Sequence, residues 1–131
     1  MKVLVTIERA KDGSFWCQTE NAIFGGYLTA TGSTVLKAKE DLVECLEDAR
    51  EDLKAKGKTF PEVEFTYKYD LQSFFNYFSF LNVSDIAKRA GVNPSLMRQY
   101  TSGVKNAGER TYQRLSACVQ SIARELETAT F

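Results

Sequence analysis

Apolar and polar residues alternate at the start of the chain. Val3, Val5 and Ile7 fall on one side and Lys2, Thr6 and Glu8 on the other, with Leu4 the exception. A period of two is the signature of a half-buried strand, so residues 2–9 are read as a first strand. Lys11-Asp12-Gly13-Ser14 follows, and Asp-Gly is a strong hairpin signal. Residues 15–20 are the returning strand, with Phe15 and Cys17 on one face and Trp16 and Gln18 on the other. A third extended segment is expected through Ile23-Phe24 and Tyr27-Leu28-Thr29, broken by Gly25-Gly26. Then the period changes. Val35, Ala38, Leu42, Cys45, Leu46, Ala49 and Leu53 recur at steps of three and four, which is one stripe of a long amphipathic helix. Ser33 or Thr34 is its expected N-cap and Gly57 suits its end. Val63, Phe65, Tyr67 and Tyr69 alternate with Glu62, Glu64, Thr66 and Lys68, giving a fourth strand. The first half is thus β-β-β-α-β, with the helix expected on one face of a small antiparallel sheet.

From Asp70 onward the pattern is helical throughout. Leu71, Phe74, Phe75, Phe78 and Leu81 form one stripe, with Asp70 as the expected cap. Short helices are expected from Ser84 to Ala90, capped by Ser84, and from Pro94 to Thr101. A longer one runs from Glu109 to Thr128, with Tyr112, Leu115, Cys118, Val119, Ile122 and Leu126 inward. The fold class is α+β, divided into residues 1–69 and 70–131.

The segment from Val83 to Gly103 carries the sharpest pattern. Ala87 is small where two helices must cross closely. Gly91 permits the positive φ that a tight corner needs, and Val92 is the apolar residue that closes it. Asn93 is a good N-cap and Pro94 is suited to the first helical position. Met97 and Tyr100 face back to Ile86, Ala87 and Val92. This arrangement predicts a helix-turn-helix over 82–105. Asn93, Ser95, Leu96, Arg98, Gln99 and Ser102 then face away from the core, where a recognition helix meets base edges in the major groove. Arg98 suits guanine and Gln99 adenine, each pairing giving roughly 1–3 kcal/mol of discrimination. Ser84, Lys88, Lys105 and Asn106 are placed for phosphates, supplying affinity without sequence reading. The bland alternative is a helical hairpin that binds no DNA.

Charge shifts the picture slightly. The formal net charge is zero, but residues 1–69 carry 10 basic and 12 acidic side chains, and residues 70–114 carry 6 basic and 3 acidic. The sign suits nucleic acid in the second half. In the first half, Glu40, Asp41, Glu44, Glu47, Asp48, Glu51 and Asp52 line the outer side of the long helix. They form either a solvated face or an acidic surface for a basic partner. There is no histidine, which removes the commonest general base and metal ligand. Three scattered cysteines fit neither a disulfide framework nor a zinc site. No apolar run approaches the roughly 20 residues that span a bilayer, and the N-terminus is too soon charged for a signal peptide. A reducing cytoplasm is the expected compartment. No cofactor or metal is expected.

From 70 to about 126 the pattern resembles the lambda-repressor/Cro-like (XRE-type) helix-turn-helix. With the β-β-β-α-β half, the whole chain resembles the HicB family of antitoxins. That resemblance rests on the early strand, the Lys11-Asp12-Gly13-Ser14-Phe15-Trp16 hairpin and the Gly32-Ser33-Thr34 entry to a helix rich in alanine and glutamate. It implies a partial ribonuclease-H-like fold for the first half and an antitoxin that blocks a HicA-like ribonuclease acting on messenger RNA. It also implies repression of the protein's own operon through double-stranded operator DNA. The run Thr19 to Gly26 has no proline, unlike many family members, so toxin-contacting residues are expected only as a region, around Trp16 to Tyr27. The recognition helix is mildly basic, so a homodimer or homotetramer is expected to bind DNA. Catalysis is not expected. A ribonuclease-H-like site needs several carboxylates converging on two metal ions, and the first hairpin offers only Glu8, Asp12 and Glu20. Two other functions compete: a stand-alone transcriptional regulator with a dimerising or sensing first half, and an interaction module whose helix-turn-helix no longer binds DNA.

Overall fold

A computed structural model describes residues Met1–Phe131. It is mixed α+β, with a four-stranded sheet and five helices. The chain divides into two compact units, Met1–Asp70 and Leu71–Phe131.

In the first unit, β1 (Lys2–Arg9) and β2 (Phe15–Thr19) form an antiparallel hairpin closed at Arg9 and Phe15. Gly13 takes φ 89° in the turn. The Asp12 carboxylate accepts from the Ser14 amide at 2.9 Å and its hydroxyl at 2.6 Å. Those bonds to the charged form hold the Asp12 carboxyl below the usual carboxylate range. The alternation is realised in burial: Val3, Val5, Ile7, Phe15 and Cys17 are buried, while Leu4 and Trp16 lie on the opposite, open face.

The third strand differs from expectation. β3 spans Thr29–Gly32 and pairs antiparallel with β2. Ile23 and Gly26 instead exchange backbone hydrogen bonds of 2.7 and 3.2 Å. Between them Phe24 (φ 53°) and Gly25 (φ 90°) are both left-handed, the mark of a tight primed turn. The chain reverses there, so the apolar Ile23, Phe24 and Tyr27 make a loop that positions β3 with Ala30 inward.

α1 (Val35–Ala55) starts at Thr34, whose side chain accepts from the Lys37 amide at 3.1 Å. Ala38, Leu42 and Leu46 bury its inner stripe. β4 (Glu64–Tyr69) then pairs with β1 in parallel, from Lys2–Glu64 to Ile7–Tyr69. The sheet is therefore mixed, in the order β3-β2-β1-β4, and not antiparallel as expected. The cause is the connection: a strand reached through a 21-residue helix can run in the same sense as its neighbour, which a short turn cannot achieve. Val5, Ile7, Phe15, Cys17, Ala30, Ala38 and Leu42 make one core. The open face carries Leu4, Thr6, Glu8, Trp16 and Gln18.

The second unit is helical: α2 (Leu71–Tyr77), α3 (Val83–Ala90), α4 (Pro94–Thr101) and α5 (Glu109–Thr128). Its core gathers Leu71, Phe75, Ile86, Ala87, Val92, Met97 and Leu115. The inward stripe of α5 stops short of expectation. Ile122 packs on the core, but Leu126, one turn further on, is 66% exposed. No helix is long and apolar enough to cross a membrane.

Candidate nucleic-acid interface

The α3–α4 corner is built almost entirely by local chemistry. Asn82, and not Ser84, caps α3: its side chain accepts from the Asp85 amide at 3.0 Å. Both residue types cap well. The helix starts one residue earlier than expected because Val83 packs its side chain against the core. Gly91 ends α3 at φ 75°, ψ 27°. The Val92 amide reaches back to the Ala87 carbonyl at 2.8 Å and the Gly91 amide to Lys88 at 3.2 Å. This is a Schellman closure, with Val92 buried beneath it. Asn93 then caps α4, accepting from the amides of Ser95 at 2.9 Å and Leu96 at 3.2 Å. Pro94 fills the first turn. Met97 and Ala87 are fully buried, so the two helices are held at close range.

Capping by Asn82 leaves the Ser84 hydroxyl available, and it takes a different role. Arg98 donates from Nη1 to Ser84 Oγ at 3.3 Å and from Nη2 to Ser95 Oγ at 3.2 Å. An exposed guanidinium is thus steadied by one serine from α3 and one from α4, with donors left for a ligand. Gln99 is exposed beside it. Ser102 is also exposed but turns its hydroxyl back to the Gln99 carbonyl at 3.2 Å. Asn93 is exposed, and its side-chain oxygen serves the cap. Leu96 is half-buried, so it offers only part of its surface.

Lys88 lies one turn beyond Ser84 on the exposed side of α3, since residues four apart share a helix face. Lys105 and Asn106 are exposed in the loop after α4. That loop is drawn onto the helix end by amide bonds from Val104 and Lys105 to the Gln99 carbonyl at 3.0 and 3.2 Å. The structure therefore links Ser84, Ser95 and Arg98 directly, flanks them with Gln99 and Lys88, and leaves Asn106 apart from the hydrogen-bonded group.

Two arginines were not legible as part of this region. Arg114 of α5 donates to the Gly91 carbonyl at 3.1 Å and ties the corner to the long helix. Arg89 pairs with Glu125, so its charge is partly answered and Lys88 is the freer cation of α3. Their partners lie 23 and 36 residues away in sequence, which no local pattern reveals.

In the first unit, Trp16 is 42% and Tyr27 59% exposed. The Trp16 Nε1 donates to Ser14 Oγ at 3.1 Å, fixing the indole on the open face. It borders a shallow depression with Thr6, Glu8, Arg9, Ala10 and Gln18. The Thr6 hydroxyl donates to Glu20. Six of the seven acids on α1 are exposed; Asp41, half-buried, accepts from the Thr31 amide at 3.1 Å. No three cysteine, aspartate or glutamate side chains approach closely enough to share a metal ion. The cysteines are free; burial pushes the Cys17 thiol up, and burial with the nearby Asp41, Asp48 and Glu44 does the same for Cys45.

Comparison of the chain with protein-family models, with characterised proteins and with solved structures returns no match.

Proposed function

We propose that this chain is the antitoxin of a type II toxin–antitoxin pair, acting in the cytoplasm. Its first unit binds and blocks a HicA-like ribonuclease that cleaves messenger RNA. Its second unit is a helix-turn-helix that binds double-stranded operator DNA and represses the operon. The observation that carries the DNA reading is the Arg98 guanidinium, exposed on α4 and held by Ser84 and Ser95. A side chain positioned in this way reads a guanine edge without first losing its rotamer freedom.

The rest of the surface supports the same reading. The capped N-terminus of α4 presents Asn93 and Ser95 where a recognition helix meets bases, with Gln99 one turn on. Lys88, Ser84, Lys105 and Asn106 flank that row as phosphate contacts. The face is only mildly basic, so one copy gives weak affinity, and a two-fold oligomer reading two half-sites supplies the remainder. The partial ribonuclease-H-like reading of the first unit is supported by its antiparallel meander, its crossover helix and the parallel fourth strand. The acidic outer side of α1 and the fixed Trp16 on the open face suit a basic protein partner. Mechanism on that side is steric: the antitoxin covers the toxin's working surface and contributes no chemistry.

Co-expression tests the antitoxin half. The product of the adjacent small reading frame is expected to arrest growth alone, to be rescued by this chain, and to be captured by it from solution. An adjacent product that is harmless and does not bind contradicts it and leaves a stand-alone regulator.

A further inference from the structure

β4 is the last strand of the sheet, and its outer edge has no strand beside it. The Glu64 amide donates to Met1 and the Asp70 amide to Ile7, both at 2.9 Å. Even-numbered residues of β4 therefore turn their backbone groups to β1. Phe65 and Tyr67 turn theirs outward, because backbone direction alternates along a parallel strand. A strand edge of this kind is a template for another strand. The apolar face at this side of the sheet is also incomplete. Val5 and Cys17 are fully buried, whereas Phe65 and Tyr67, although packed against the core and with Lys39 of α1 4.3 Å above the Tyr67 ring, remain half-buried.

We infer that this edge pairs with the same edge of a second copy, β4 against β4 antiparallel about a two-fold axis at Thr66, joining two sheets into one of eight strands. The sequence of β4 is complementary to itself in this register. Outward-facing Phe65 meets Tyr67 of the second copy as the hydrogen-bonded pair. Thr66 meets its own copy, and Glu64 meets Lys68, as non-hydrogen-bonded pairs, in which side chains stand closest. The two-fold doubles each contact: opposite charges face each other twice on the open face, and the aromatics face each other twice on the helix face.

Backbone direction allows other registers only in steps of two residues in the pairing sum. One step onward sets Glu64 against Asp70 of the second copy, acid against acid. One step back pulls Pro61 and Glu62, which precede the strand, into the ladder, and proline cannot donate there. The Thr66-centred register is the one that sets Glu64 against Lys68 twice within β4, and it leaves Glu62 and Asp70 to meet only beyond the ends of the strand.

The inference bears on the two-fold oligomer that the DNA reading requires, but it rests on the first unit alone. The test uses the full chain without DNA. Light scattering is expected to show a dimer or a higher even oligomer. In mild oxidant, Thr66→Cys is expected to cross-link to its own copy, since facing Cα atoms about 4.5 Å apart admit a disulfide. The unmodified chain, with Cys17 and Cys118 buried and the half-buried Cys45 held against Thr29 of β3 at the opposite edge of the sheet, and Glu64→Cys alone are expected to stay unlinked. Lys68→Glu is expected to weaken association about tenfold, and adding Glu64→Lys to restore it. A monomer, which would leave the edge to an extended segment of another protein, overturns the inference. So does an oligomer in which Thr66→Cys stays reduced or Glu64→Cys links equally well. Arg98→Ala is expected to cross-link like the parent through Thr66→Cys whatever it does to DNA, so a failure of the DNA reading is distinguishable from a failure here.

Discussion

Gly32 and Gly91 both stand at joints, and for opposite reasons. Gly91, at the α3–α4 corner, has a left-handed backbone at φ 75° and open space where a Cβ would go. Gly32, between β3 and α1, lies outside the left-handed region but has no space: a Cβ would stand 2.5 Å from the Ala38 amide nitrogen and 2.7 Å from the Lys37 carbonyl carbon. One joint is a dihedral requirement and the other a close approach of backbone to backbone. The second unit thus shapes its surface through local conformation, while the first depends on how tightly a helix sits on a sheet. The proposed functional surfaces divide the same way. Arg98 is placed by caps and a tight turn, whereas the edge and open face of the first unit are left over by where α1 happens to lie.

Substitutions can break that comparison. The largest effect is expected at Gly32→Ala, where rigid backbone must move; a loss of about 1–3 kcal/mol or more is expected in denaturant unfolding. Gly91→Val follows, costing about 1–2 kcal/mol through the left-handed backbone alone. Gly91→Asn sharpens the point. Asparagine tolerates that conformation, so most of the loss is expected to return, while Gly32→Asn is expected to be at least as damaging as alanine. If asparagine and valine were equally harmful at position 91, space and not dihedral would be limiting there. Asn93→Ala removes two amide acceptors from the start of α4 and is expected to cost about 1 kcal/mol, with weaker DNA binding measured alongside.

The smallest effect concerns the first hairpin. The Asp12 carboxyl is lowered in the folded chain by its bonds to Ser14. A depressed folded value means that the stabilisation is present above the unfolded carboxylate pKa and is lost as pH falls through the folded one. Acid titration is expected to loosen this hairpin only below the ordinary carboxylate range, and Asp12→Asn to remove that pH dependence.

The corner was legible in sequence because each determinant sits within a few residues of the others: Gly91 for the backbone, Asn93 and Pro94 for the restart, Ala87 and Met97 for the crossing. Its cap was not, since Asn82 and Ser84 are equally good capping types and only the packing of Val83 chooses between them. The serine clamp on Arg98 spans 14 residues and needed the fold. In the first unit, alternation marked β1, β2 and β4 but carried no information about direction. The parallel pairing of β4 follows from where α1 delivers the chain. Ile23, Phe24 and Tyr27 were misleading because apolar composition there serves a left-handed turn, with the Phe24 ring against Phe60, centroids 3.8 Å apart and tilted by 33°, and not a ladder.

The central claim is that the exposed side of α4 reads DNA sequence. Its most direct test is a titration of the full chain against the DNA upstream of its own gene and against unrelated DNA, at one fixed salt concentration. The parent chain is expected to prefer the upstream DNA. Arg98→Ala/Gln99→Ala is expected to lose about tenfold or more of that preference while keeping its fold and its non-specific binding. A double variant that retains the full preference, or a parent chain that binds both DNAs equally, would contradict it.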